Sequence, residues 1–185
     1  MLELQFSPFP VLVTNRLTLR KISEEDIPSI FAMRSSEEMM RYIDRPRAQS
    51  TEEAAKLVNA ILESLAKNEG ITWAITVTGQ TDLTGTIGFW KITREHYRAE
   101  IGYMLRTEYQ HQGIMHEALS AVLDYGFKEM NLHSVEANVN PANEASIRLL
   151  ERNKFVLEGR FRENYYYNGQ FLDSNIYSLL TPLKQ

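Results

Sequence analysis

The chain contains no cysteine, which removes a disulfide framework and a thiolate nucleophile, and with it a cysteine acyl-enzyme route. Any acyl transfer is therefore direct or uses another nucleophile. No stretch approaches the roughly 20 apolar residues of a membrane span, and the opening MLELQFSPFP lacks the basic-then-apolar layout of a signal peptide. A cytoplasmic protein is expected, with no membrane partner. Basic excess is also missing: 20 Lys and Arg face 24 Asp and Glu, a net charge of −4, so direct nucleic-acid binding is not expected. Histidine is scarce, at positions 96, 111, 116 and 133. No two of these have the i, i+4 spacing of a zinc helix, so no metal is expected. Internal repeats and low-complexity tracts are absent as well.

What remains is 185 residues at 43% hydrophobic content, enough for a single domain over 1–185 with a full core. Val11–Arg20 alternates as a strand, and Ser23-x-x-Asp26 resembles a capping box opening a helix to about Arg34. A short helix is expected around Glu37–Tyr42. A longer one is expected to Lys67, with Ala54, Leu57, Val58, Ile61, Leu62 and Leu65 at helical spacing. Ile71–Val77 and Leu83–Ile92 read as a hairpin around TGQTD, followed by a strand over Arg98–Leu105. A broad apolar stripe predicts a helix after Gly113, and Ser134–Val139 a short strand. Asn140-Pro141 predicts the N-cap and first position of a helix to about Asn153. Tyr167-Asn168-Gly169-Gln170 predicts a type I′ turn between two long strands. That order describes a mixed α/β sheet with helices on its faces.

The most informative segment is EIGYMLRTEYQHQGIMHEA, residues 100–118. An apolar strand runs into a polar turn, and Gly113 then opens a long helix. A helix start gathers unpaired N–H groups and the positive end of the helix dipole, which suits a phosphorylated ligand. On these residues alone an anion site and a plain connecting loop both stand.

Gln110-His111-Gln112-Gly113-Ile114-Met115 resembles the acyl-CoA loop of the GCN5-related N-acetyltransferases, Arg/Gln-x-x-Gly-x-Gly/Ala, at two of its three fixed positions. Met115 stands where the pattern has Gly or Ala. TNRLTLRKISEEDIPSIF (14–31), NPANEASIRLLERNKF (140–155) and LEGRFRENYYYNGQFLDSNIYSLL (157–180) resemble the RimJ/RimL branch, which acetylates ribosomal-protein N-termini. The resemblance covers nearly the whole chain. It implies a sheet of about seven strands whose central parallel strands, Arg98–Leu105 and Ser134–Val139, splay to admit the pantetheine arm of acetyl-CoA as an extra strand.

The same resemblance implies that the backbone of Tyr103, Met104 and Leu105 binds the pantetheine. The turn formed by His111, Gln112, Gly113, Ile114, Met115 and His116 would wrap the pyrophosphate, with first-turn core packing as the plainer reading for Ile114 and Met115. Asn143 would lie near the cofactor, or simply cap its helix. Leu150 occupies the position where the family often has a thiolate-protonating Tyr, leaving Ser146, one of Tyr165–Tyr167, or water. Lys154 replaces a frequent Gly before Phe155.

Glu100 is the expected general base; the competing reading is a solvated carboxylate paired with Arg98. It alternates with Gly102 and Met104, so a glycine gap lies on its own face. An α-amine, with pKa about 7.7–8.0, is roughly a tenth neutral at pH 7, against fewer than about one in a thousand for a lysine-like amine. A site lacking the Tyr acid therefore suits an α-amine. The expected reaction is direct acetyl transfer from acetyl-CoA to a protein or peptide N-terminus. A small amine such as a polyamine, an amino acid analogue or an aminoglycoside is the alternative acceptor, and a non-catalytic CoA-binding module the alternative role. Arg41, Arg45 and Arg47 read either as a solvated loop or as contacts to an acidic peptide, and Trp90 either as sheet packing or as a wall of the acceptor site. The tyrosine-rich closing hairpin predicts a homodimer.

Overall fold

The computed structural model describes residues 1–182. Eight strands form one sheet: β1 (Leu12–Val13), β2 (Leu17–Lys21), β3 (Ile71–Val77), β4 (Gly85–Thr93), β5 (Arg98–Leu105), β6 (Ser134–Val139), β7 (Val156–Tyr167) and β8 (Gln170–Leu180). Their spatial order is β1-β2-β3-β4-β5-β6-β8-β7, and β5/β6 is the parallel pair among antiparallel neighbours. The strand expected over Val11–Arg20 is two strands, which raises the count from about seven to eight. Thr14 makes the break: its N–H donates to the Leu17 carbonyl at 2.9 Å, and its hydroxyl accepts the Leu17 N–H at 3.0 Å. That closes a tight hairpin.

Five α-helices cover the two faces: α1 (Ile27–Ser35), α2 (Glu37–Met40), α3 (Thr51–Ala66), α4 (Ile114–Lys128) and α5 (Glu144–Arg152). On one face Ile30 and Met33 of α1 meet Ala54 and Val58 of α3 over Ala74. On the other, Ala118, Leu119 and Val122 of α4 and Leu150 of α5 pack against Trp73, Ile87, Ile101 and Val135. Leu150 is fully buried, so the position that lacks the tyrosine carries core packing. Leu2, Leu4 and Phe6 alternate into the α4 side.

Two helix starts differ from expectation. Asp26 closes the capping box at Ser23, but Glu24–Asp26 is a turn of 3-10 helix, and α1 follows it. Asp26 is buried and committed twice over, to the Ser23 N–H at 2.9 Å and to both Arg20 amino groups at 2.8 Å. The late helix starts at Glu144, not at Pro141, and its N-cap is Asn143. Asn140 instead shapes the preceding turn, its Oδ1 accepting the Ala142 N–H at 2.9 Å. The turn at Asn168 and Gly169 has φ of 49° and 80°, the left-handed pair that a type I′ hairpin needs.

Candidate active site

β4 and β5 pair along most of β5, Arg98 through Leu105. β5 and β6 pair only at Arg98↔Ser134, Ala99↔Val135 and Glu100↔Glu136. Beyond Glu100 the two strands part, so the β6-facing edge of Ile101–Leu105 offers unpaired backbone groups to an extended ligand. The backbone groups of Tyr103 and Leu105 point to this edge, where the Leu105 carbonyl accepts Gln110 Nε2 at 3.2 Å, while the Met104 carbonyl points to β4. Their side chains alternate: Tyr103 and Leu105 face the α4 side, while Met104 packs against the α1/α3 cluster.

Below the split lies the start of α4. Gly113 caps it with φ of 75°, and His111 also has a positive φ, 59°. This left-handed kink turns the backbone so that the N–H groups of residues 111–116 find no hydrogen-bond acceptor among the described residues. The side chains of Ile114 and Met115 are buried in the core. These residues thus turn their apolar side chains inward while their N–H groups stay free. An open groove of about 900 Å³ runs past Arg16, Gln112, His116, Ser120 and Arg152, and the buried His116 Nδ1 has no partner among the described residues. Glu117, in the first turn, is answered by Arg16 through its Nε at 2.7 Å and its N–H at 2.9 Å. Burial pushes the Glu117 carboxyl up, but the bonds from Thr14 and Arg16 outweigh it and hold the group below its ordinary range. Six consecutive free N–H groups at a helix start, with Arg16 and Arg152 alongside, fit a pyrophosphate.

α5 brings Ser146 to the same side of the sheet. Asn143 Oδ1 accepts the Ser146 N–H at 3.1 Å; the residue is the cap rather than the third helical position, a bond of about 1 kcal/mol. Ser146 Oγ lies 2.6 Å from the Tyr103 hydroxyl. Burial pushes the Tyr103 phenol up to about 12, against the opposing Ser146 bond, so the pair stays neutral and able to donate. The sequence points to a backbone role for Tyr103; its side chain also meets Ser146, a contact no local pattern signals. The Tyr165 hydroxyl is instead engaged with the Asp44 carbonyl, to which it donates at 3.0 Å, and Tyr166 packs on Phe171.

Glu100 stands at the point of divergence and faces the opposite side. Its side chain is 9% exposed and accepts from Lys91 Nζ at 2.8 Å. It is neither solvated nor paired with Arg98, which meets Glu136 instead. Lys91 reaches it because β4 bulges between Trp90 and Thr93, where Lys91 has φ of 45°. Glu100, Gly102 and Met104 line a cavity of about 570 Å³ roofed by α1, α3 and the 42–45 loop, with Tyr165, Asp173 and Ser174 of the closing hairpin at its side. Trp90 is a wall of this cavity, with Lys91 Nζ 4.6 Å and the Arg45 guanidinium 5.2 Å from its ring centre. Arg41 lies over Tyr42 and Arg47 meets Glu37, so of the three loop arginines only Arg45 lines the cavity. Among the described residues no group of three His, Asp or Glu is placed to hold a metal.

A sheet split beside a helix start with free N–H groups, with a carboxylate at the fork and a cavity beyond, suits an acyl-CoA-dependent transferase. The chain belongs to the acetyltransferase (GNAT) domain family, whose model matches residues 16–156, a family that uses acetyl-CoA. It is 38% identical over 174 residues to the uncharacterized N-acetyltransferase YoaA of Bacillus subtilis, covering 94% of this chain and 98% of that one. It is also 26% identical over 161 residues to the spermidine N(1)-acetyltransferase of Vibrio cholerae, covering 87% of this chain and 91% of the relative. Among solved structures it resembles RimL, the ribosomal L7/L12 alpha-N-protein acetyltransferase, in complex with coenzyme A. There the TM-score is 0.84 at 26% identity, over 92% of this chain and 98% of the other. The chain is an N-acetyltransferase. No helix among the described residues is long and apolar enough to cross a membrane.

Proposed function

We propose that this single-domain protein acetylates the N-terminal α-amine of a protein or peptide by direct transfer from acetyl-CoA. The observation that carries the reading is Glu100, shielded from water at the fork of β5 and β6 and lining the cavity of about 570 Å³, to whose wall Tyr103 also contributes. Acetyl-CoA supplies an activated thioester. The N–H groups of 111–116 hold its pyrophosphate, Tyr103–Leu105 pair with its pantetheine arm, and Asn143 fixes the start of α5 beside it. Unpaired N–H groups of β5 polarise the carbonyl oxygen. Glu100, directly or through a water, takes a proton from the amine as the C–N bond forms. Ser146, refilled through Tyr103, gives a proton to the departing thiolate as the C–S bond breaks.

The acceptor cavity is lined by three carboxylates, Asp44, Glu100 and Asp173, and by three cations, Arg34, Arg45 and Lys91. A polyamine carries several positive charges and calls for an acidic cavity, whereas this one is balanced, as suits a peptide terminus. Met115, buried in the core, presents no bulk to the cofactor, which weakens the reading of a non-catalytic module. Mass spectrometry of amine acceptors incubated with acetyl-CoA tests the proposal. Acetylated peptide α-amines support it. Turnover of spermidine alone, or of nothing while CoA still binds, contradicts it.

The outer edge of β7 pairs with no described strand, and Val156, Leu157, Phe161, Tyr166 and Phe171 are exposed along the hairpin. That edge supports a homodimer, and the proposed location is the cytoplasm.

A further inference from the structure

Arg34, at the C-terminal end of α1, and Arg45, in the loop after α2, both line the acceptor cavity. The cations lining the cavity are not equally matched. Lys91 is answered by Glu100. Neither Arg34 nor Arg45 has a carboxylate partner among the described residues. Asp173 is committed to Arg160 at 2.6 Å and to the Glu163 N–H at 2.8 Å. Asp44 lines the same cavity without an ion pair to either arginine, and burial pushes its carboxyl up. Arg34 is itself half-buried; burial first, and then the charge of Arg45, push its guanidinium down. Two like charges thus face one cavity, and among the described residues neither has a carboxylate within ion-pair distance. Loss of hydration at Arg34 and repulsion between the two guanidiniums disfavour that arrangement, and a bound anion relieves both.

A guanidinium is a planar fork of donors that matches a carboxylate. Resting on the proposed acceptor-side reading of this cavity, we infer that Arg34 and Arg45 hold a carboxylate carried by the acceptor close to its amine. The carboxylate comes either from an Asp or Glu side chain among the first residues of a peptide or from the α-carboxylate of a free amino acid. A cavity of about 570 Å³ is of the size that encloses a small ligand or the first residues of a chain.

The test is steady-state kinetics with C-terminally amidated peptides of common sequence carrying Asp, Asn or Lys at the second and third residues, beside free serine and its amide. A charge-assisted contact is worth about 1.5–3 kcal/mol, so the Asp peptide is expected to exceed the Asn peptide in kcat/KM by roughly tenfold or more, mainly through KM. Arg34→Gln and Arg45→Gln each collapse that ratio toward one. Arg45 is exposed, so its variant keeps the inference testable if the other fails to fold, and unchanged acetyl-CoA affinity confirms an intact cofactor side. Arg45→Glu shifts preference toward the Lys peptide. Preference for free serine over its amide, lost in the same variants, supports the carboxylate site while assigning it to an amino acid and overturning the peptide reading. Equal kcat/KM for the Asp, Asn and Lys peptides overturns the carboxylate site and leaves the peptide reading standing. Turnover confined to carboxylate-free amines, unaffected by either substitution, overturns both.

Discussion

The Tyr103 hydroxyl and Ser146 Oγ are 2.6 Å apart, joining the central strand to the late helix at the mouth of the split. The phenol's value of about 12 lies above its ordinary 10. A group raised in the folded state contributes stability in full below its unfolded value and loses it as pH rises through the folded one. Tyr103 therefore stabilises the fold below pH 10 and ceases to do so between about 10 and 12. Denaturant titrations of the wild type and Tyr103→Phe at pH 9 and near pH 12 should show the difference between them shrinking at the higher pH, by on the order of 2 kcal/mol. A constant difference would contradict the shielded environment.

Gly113 holds φ of 75°, and a Cβ there would meet only the Arg16 Nη2 at 3.5 Å. Gly113→Asp should fold, because Asp tolerates the left-handed region better than most residues. Its carboxylate would then compete for the free N–H groups and repel the pyrophosphate. Calorimetry is expected to show acetyl-CoA affinity falling at least about tenfold. Undiminished affinity in the folded variant would remove the pyrophosphate from this turn.

Lys154 ends α5 with φ of 69°, and the Phe155 N–H bonds back to the Leu150 carbonyl at 3.0 Å. This is a left-handed helix terminus occupied by a residue with a Cβ. Lys154→Gly should stabilise the protein by about 1 kcal/mol in chemical denaturation, without changing kcat. A destabilised variant would show that the Lys154 side chain matters more than its backbone.

The exposed β7 edge predicts a dimer. Light scattering at micromolar concentration should give about twice the 21.4 kDa chain mass; the single-chain mass would exclude the interface.

Much of this structure is legible in the sequence where one local rule dominates. Ile71–Val77 and Ser134–Val139 are strands at the expected bounds because each is an apolar run flanked by turn residues. Gly113 is readable as a helix start because only a left-handed residue fits there. Long-range pairings are not readable in this way. Lys91 finds Glu100 only through a bulge in β4, and Tyr165 reaches Asp44 across 121 residues of sequence. The late helix starts three residues beyond Pro141 because Asn140-Pro141 and Asn143 are both good starts, and only the turn closed by Asn140 decides between them. Arg34 carries no signal in the sequence, because a lone arginine near a helix end resembles any solvated residue. Its isolation from carboxylates is a property of the assembled cavity.

The central claim is that Glu100 removes the acceptor's proton. Glu100→Gln keeps the shape and a hydrogen-bonding partner for the site while abolishing the base. With a competent peptide, kcat should fall by about 10²–10⁴ while acetyl-CoA affinity, measured by calorimetry, is unchanged. A kcat within about threefold of the wild type would contradict the account and move the proton to another acceptor.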